Sequence, residues 1–368
     1  MRLRDSLHLL TAISFSIALT SSCTSPSTGP EAGRLLLDQA AAAMGGWPVL
    51  DRVRSQEIHT SGMDWEPLQT SDPIADPRQI NSFDQTFLVD YQLKRMRVTF
   101  DATRTYPTTA PVKFVEVIDG DVGMLEGTRE RLHPSRLATR QRDYNRLPIR
   151  LLYTARNATD LMRSEDRTVE NTQVHVLKYT DGGSPVELQL NMKDKLPARL
   201  IYIEDDPVYG DTPNEVFFSD WKDHDGIVLP ETQVTRLNGK KIQEEHVRTI
   251  TNNPPIENAA FLIPAEVKSQ PENGQRIVSQ WVLRRAVMGV GYQDFGREQK
   301  VELAEVAGGV YHVRGGSHHS MVVEMKDHLV VVEAPLFDER SVAVIRALEE
   351  RFPGKPVRYL VITHFHFD

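Results

Sequence analysis

Between Gln56 and about Pro264 one pattern recurs: a few β-branched, aromatic or aliphatic residues, then a turn signal. The strand candidates are residues 87–91, 95–100, 114–118, 174–179, 186–190 and 196–203. Asp119-Gly120, Asp181-Gly182-Gly183, residues 191–195 and Asn238-Gly239 separate segments of this kind. Such dipeptides tolerate the left-handed backbone that tight hairpins need. Parallel neighbours require crossovers of a dozen residues or more, so connections this short restrict the region to an antiparallel sheet. Regular short strands predict a curved sheet or half-barrel. One helical insertion is expected over residues 148–163, and no internal repeat is found. An Ala-rich helix over residues 35–44, stopped by Gly45-Gly46, precedes the sheet.

The N-terminus reads as an export signal. Arg2 and Arg4 are followed by an apolar stretch over residues 7–19, then by small residues up to Cys23, the only cysteine of the chain. The position resembles the lipidated cysteine of bacterial lipoproteins, although Leu19 lies one place too far upstream and Ser22 replaces the usual Gly or Ala. Lipidation at Cys23 is the expectation; a plain signal peptide cut nearby is the alternative. A breaker-rich tether follows at residues 24–30. One cysteine excludes an intramolecular disulfide framework and a multi-cysteine zinc site. A net charge of -8 without a basic stripe argues against nucleic acid as the main partner. Outside the leader no apolar run has the length of a membrane span.

At the far end, residues 301–306 and 310–313 predict a hairpin, and residues 320–325 and 329–332 two more strands. Asp338 is a natural N-cap, and Val342, Ile345, Leu348 and Phe352 mark an apolar helix face. Residues 357–362 read as a buried strand running into His364-Phe365-His366-Phe367-Asp368. On an extended segment His364 and His366 point the same way, and neutral imidazole is a good zinc ligand. Asp368 shares that parity while the chain stays extended. A strand with two incidental histidines fits the same letters. Glu333 is either a carboxylate supporting this loop or a capping acid. His59, His175, His224 and His246 are scattered, and the adjacent pair His318-His319 points to opposite faces, so none is expected as a ligand.

Two resemblances follow. Residues 43–46, 221–230 and 253–264 make the β-rich region similar to the lipoprotein-carrier-like half-barrels of bacterial envelope proteins. That likeness implies a concave apolar face able to hold a lipid or a partner; a filled core without ligand is the competing reading. The last seventy residues resemble the opening of the metallo-β-lactamase fold, whose HxHxDH signature this chain matches through Asp368. The resemblance implies His364 and His366 as ligands of a first Zn²⁺. It implies Asp368 as ligand of a second and as the residue orienting the attacking water. Iron or manganese would also suit such a shell.

The fold class expected is thus α+β: an antiparallel β half-barrel-like domain followed by the first half of an αββα sandwich, in a chain that continues beyond Asp368. The expected divisions are a signal peptide (1–22), a tether (23–33), the β-rich domain (34–264), a linker (265–297) with a helix over 277–288, and the metal domain (298–368). The resulting expectation is an exported zinc hydrolase acting on a small-molecule substrate in the periplasm or at the outer membrane. The alternative is an envelope lipoprotein that binds a lipid or protein partner without catalysis.

Overall fold

A computed structural model of the chain describes residues 28–364 apart from 71, 73, 207–208, 273–283, 285–298, 317 and 336–337. Twelve strands build the first sheet. They are β1 (Ser55–Glu66), β2 (Arg78–Asp90), β3 (Arg95–Arg104), β4 (Ala110–Asp119), β5 (Val122–Leu125), β6 (Met162–Val169), β7 (Thr172–Asp181), β8 (Ser184–Asn191), β9 (Pro197–Asp206), β10 (Gly210–His224), β11 (Ile227–Leu237) and β12 (Lys240–Asn252). Their order is β5-β4-β3-β2-β1-β12-β11-β10-β9-β8-β7-β6, antiparallel throughout. Two meanders are therefore joined where β1 meets β12, with Gln56 opposite Asn252. The hairpin turns fall at the expected dipeptides. At the β11–β12 turn Asn238 and Gly239 both have positive φ (49° and 76°), the requirement of a two-residue hairpin loop.

The sheet curls on itself. Phe114 of β4 and Tyr202 of β9, seven places apart in the order, line one cavity. Helix α1 (Pro30–Ala43) closes the β6 edge, with the short α2 (Trp47–Leu50) behind it. Gly33 allows that approach, since a Cβ there would lie 2.9 Å from the backbone of Arg163. Between β5 and β6 the chain forms α3 (Pro134–Arg146) and α4 (Pro148–Asn157). Leu151, Leu152 and Ala155 of α4 join Leu36, Leu37 and Ala40 of α1 in the largest apolar cluster, against Leu177, Leu188 and Leu200 of the sheet. The convex side is covered by Phe261, Ile263 and Val267, the last on α5 (Ala265–Lys268), against Val117 and Met124.

A second sheet has the order β13-β14-β15-β16-β17: Glu302–Ala307, Val310–Arg314, Ser320–Glu324, Leu329–Val332 and Val357–Val361. Helix α6 (Asp338–Arg351) crosses from β16 to the parallel β17. Val344, Leu348 and, just past the helix, Phe352 pack on Tyr311, Val313, Val322 and Leu329.

This architecture corrects the α+β expectation. The described chain is mostly β, a twelve-stranded and a five-stranded sheet with few helices, and no αββα sandwich forms among the described residues. Two details explain the error. Residues 357–361 were expected to be buried because they are apolar, yet all five are exposed, in an edge strand paired on one side only. Val342 and Ile345, expected on the packed face of the helix, are 43% and 45% exposed, while Arg340 is enclosed and donates to the Lys300 and Arg314 carbonyls.

Candidate functional site

The inward positions of β1 read Gln56, Ile58, Thr60, Gly62, Asp64 and Glu66. An antiparallel sheet with a dry core would place apolar residues at that parity. Here four of these residues carry polar side chains, and all four are buried. Their partners are other polar side chains of the concave face: Asn252 and Tyr91 for Gln56, Glu245 for Thr60, Gln243 for Asp64 and Arg284 for Glu66. Helix α3 adds further buried charge. It carries four arginines in thirteen residues, and three of them, Arg136, Arg140 and Arg142, are buried. His133 caps the helix: its Nδ1 accepts the Ser135 amide at 3.1 Å, and burial lowers its pKa to about 4, so it stays a neutral acceptor at ordinary pH.

The arginines reach both halves of the curved sheet. Glu116 of β4 accepts from Arg136 at 2.5 Å and from Arg140 at 2.8 Å. Burial pushes the Glu116 carboxyl up, but the two guanidiniums outweigh it and hold it below its ordinary value. On the far half, Arg142 pairs with Glu204 of β9 and donates to Asp143 at 2.8 Å. Arg146 lies over the Tyr202 ring at 3.5 Å and 4.0 Å from Asp181. Arg284 inserts between Glu66 (3.1 Å) and Asp206 (3.0 Å), bridging β1 and β9. Buried pairs of this kind add little net stability, because desolvation offsets the attraction, but they fix geometry, since a misplaced partner leaves a bare buried charge.

Between helix and sheet remains a cavity of 150 Å³. Its apolar wall comes from both halves: Ile58, Phe87 and Phe100 on one side, Leu200, Phe218 and Leu229 on the other. Phe83, Phe100 and Phe114 stack across β2, β3 and β4 at 5.4 and 4.8 Å between ring centres. Its polar lining includes Asp64, Gln243, Glu245, Arg140 and Arg146. Asp64 Oδ1 accepts from Gln243 at 3.0 Å, while its Oδ2 is buried without a hydrogen bond among the described residues. Burial raises the Asp64 pKa to about 7, and it also raises that of Glu245, which accepts from Thr60 and Gln85.

The residues singled out from sequence lie elsewhere. Cys23, His366 and Asp368 fall outside the described residues, as does the helix expected over 277–288 apart from Arg284. His364 is described: its ring is half-exposed, with Nδ1 3.7 Å from Glu333. Glu333 accepts from the backbone and hydroxyl of Thr363, bonds that hold its pKa below the usual value, so it serves as the capping acid of that loop. His319 pairs with His312 at 2.9 Å, and His59, His175, His224 and His246 each face one carboxylate. No group of three or more potential metal ligands occurs among the described residues. Sequence reading missed Asp64 and the arginines of α3; the polar inward parity of β1 was the available signal.

No family model matches the chain, that of the metallo-β-lactamases included, and no curated protein matches it. Among solved structures, the chain is similar to a LolA-superfamily protein of Nitrosomonas europaea, at 12% identity and a TM-score of 0.40 over 62% of this chain and 97% of that one. A DUF1329-family protein of Desulfovibrio piger matches at 11% identity and a TM-score of 0.37, over 62% and 96%. LprF of Mycobacterium bovis matches at 9% and 0.22, over 62% and 97%. Likenesses this distant leave function to be argued from the site itself. With no matching family model, no sandwich and no ligand cluster among the described residues, the metallo-β-lactamase resemblance is overturned. The zinc hydrolase reading falls with it, together with its metal, its iron and manganese variants and its small-molecule substrate.

Proposed function

We propose that this chain is an envelope protein that binds the acyl portion of a lipid, or of a lipidated partner, on the concave face of its twelve-stranded sheet. The observation that carries this reading is the amphipathic cavity between α3 and the sheet. Phenylalanine and leucine side chains (Phe87, Phe100, Phe218, Leu200, Leu229) line it together with the polar groups of Asp64, Gln243, Glu245, Arg140 and Arg146. Ligand sites combine an apolar lining with a few placed polar groups in this way. The leader and Cys23 support delivery to the envelope, with the chain held at a membrane by an acylated Cys23 and the tether behind it.

A cavity of 150 Å³ takes a guest of about six heavy atoms. A whole acyl chain therefore enters only if α3 withdraws. The helix is held in the concavity by arginine–carboxylate pairs, which water can replace, and by the apolar contacts of Leu137 and Tyr144.

The test is native mass spectrometry of the chain purified from membranes in mild detergent. One bound acyl-bearing molecule per chain is expected, reduced at least tenfold in Phe218→Asp. A ligand-free chain that also fails to take up a fluorescent fatty acid would sink the reading. The same spectra should show acyl mass on Cys23.

A further inference from the structure

We infer that Arg146 is the headgroup-recognition residue of this cavity and that the amphiphile it selects is anionic, carrying a carboxylate or a phosphate. The inference rests on the lipid-binding reading above and deepens it. Arg146 stands in the last turn of α3 and lines the cavity next to Leu147, Leu200 and Tyr202. Its side chain is 10% exposed, and its Nε and Nη1 are buried with no hydrogen bond among the described residues.

The other cavity arginines have nearer carboxylates. Arg140 is held by Glu116 at 2.8 Å, and Arg284 by Asp206 at 3.0 Å and Glu66 at 3.1 Å. Arg146 has Asp181 only at 4.0 Å and the face of Tyr202 at 3.5 Å. A guanidinium does not escape a dry site by losing its proton, so two unpaired N–H groups there ask for an anion. A carboxylate or phosphate oxygen would accept a charge-assisted hydrogen bond from either group. The cavity's own carboxyls oppose this less than their number suggests. Burial favours the neutral forms of Asp64 and Glu245, and Asp143 is taken by Arg142 at 2.8 Å. The apolar wall at Leu200, Phe218 and Leu229 then receives the chain.

The experiment is a ligand-observed NMR titration of the full chain at pH 6, where Asp64 keeps its proton, with hexanoate, hexanol, hexylamine and inorganic phosphate. Hexanoate should bind at least tenfold more tightly than hexanol, and inorganic phosphate alone more weakly than hexanoate. Arg146→Gln should bring hexanoate to parity with hexanol, and Arg146→Lys should keep part of the preference. Asp181→Asn should tighten hexanoate and, with Arg146→Lys, decides the matter if Arg146→Gln fails to fold by circular dichroism. Parity in the wild type, a preference for hexylamine, phosphate binding as tightly as hexanoate, or a preference that survives Arg146→Gln would each overturn the assignment. Hexanol binding without any hexanoate preference removes this inference and leaves the lipid site standing. If none of the chain-bearing probes binds, both are wrong.

Discussion

The two sheets solve the same problem in opposite ways. The five-stranded sheet packs one face on α6 through Val344, Leu348 and Phe352, an ordinary apolar contact. The twelve-stranded sheet encloses α3, a helix that buries three arginines beside Leu137 and Tyr144, and meets its arginines with Glu116, Glu204 and Asp181. Apolar contact is tolerant of small shifts and roughly proportional to area. Charge pairing in a dry interior is intolerant: each partner is costly alone. The first arrangement suits a scaffold. The second suits an element that must sit in one position when docked and leave when its partners are replaced.

The sharpest break of this contrast is Arg136→Ala. The side chain is 1% exposed, and its removal leaves Glu116 paired with Arg140 alone among the described residues. A loss of about 3–5 kcal/mol is expected from a half-broken buried ion pair, measured by urea unfolding. Arg136→Met with Glu116→Leu should recover much of it, because an apolar pair of similar volume has no charge to desolvate. If the single change costs less than the double, the pair does not hold the helix.

Next in size is Leu348→Ala. Leu348 is 1% exposed in the second sheet's core, and a cavity there should cost about 3 kcal/mol. The expected signature is local. Hydrogen exchange should accelerate across β13 to β17 and leave β1 to β12 unchanged, because the apolar clusters of the two sheets share no residue. Acceleration in both sheets would show that they unfold as one unit.

How much of this was readable beforehand follows from the same contrast. Strands announce themselves by alternation and turns, so residues 87–91, 95–100, 114–118, 174–179, 186–190 and 196–203 were found, with the Asn238-Gly239 turn. Helix α3 was missed because apolar periodicity is the usual signal of a buried helix, and here Arg136, Arg140 and Arg142 are buried with only a few apolar residues among them. Residues 148–157 of the expected insertion are α4, but 162–163 already belong to β6. The apolar run at 357–361 misled in the other direction, since nothing in a single strand's letters says that it will stand at a sheet edge. The cavity could not be read at all. Asp64 and Arg146 lie 82 positions apart in sequence, and only the curl of the sheet brings them to one space.

The finest test of the comparison uses pH. Asp64 is a buried carboxyl with no ion pair among the described residues, and burial raises its pKa from 3.8 to about 7. A group that holds its proton more tightly when folded favours the folded state at low pH. That advantage is complete below about 4 and is lost as the pH rises through about 7. Glu324 and Glu333 of the second sheet have the opposite sign. Hydrogen bonds from Lys355 and Thr363 lower their pKa values, so their contribution is present above the unfolded value and lost as the pH falls through the folded one. Asp64→Asn keeps the shape and removes the titration. Relative to the wild type, the variant should gain stability between pH 5 and pH 8, with the gain confined to exchange protection in β1 to β12. The measurement is denaturant unfolding at both pH values, followed by hydrogen exchange. A variant that parallels the wild type at both would mean that Asp64 keeps its charge in the cavity, and that an unseen cation, rather than a proton, answers it.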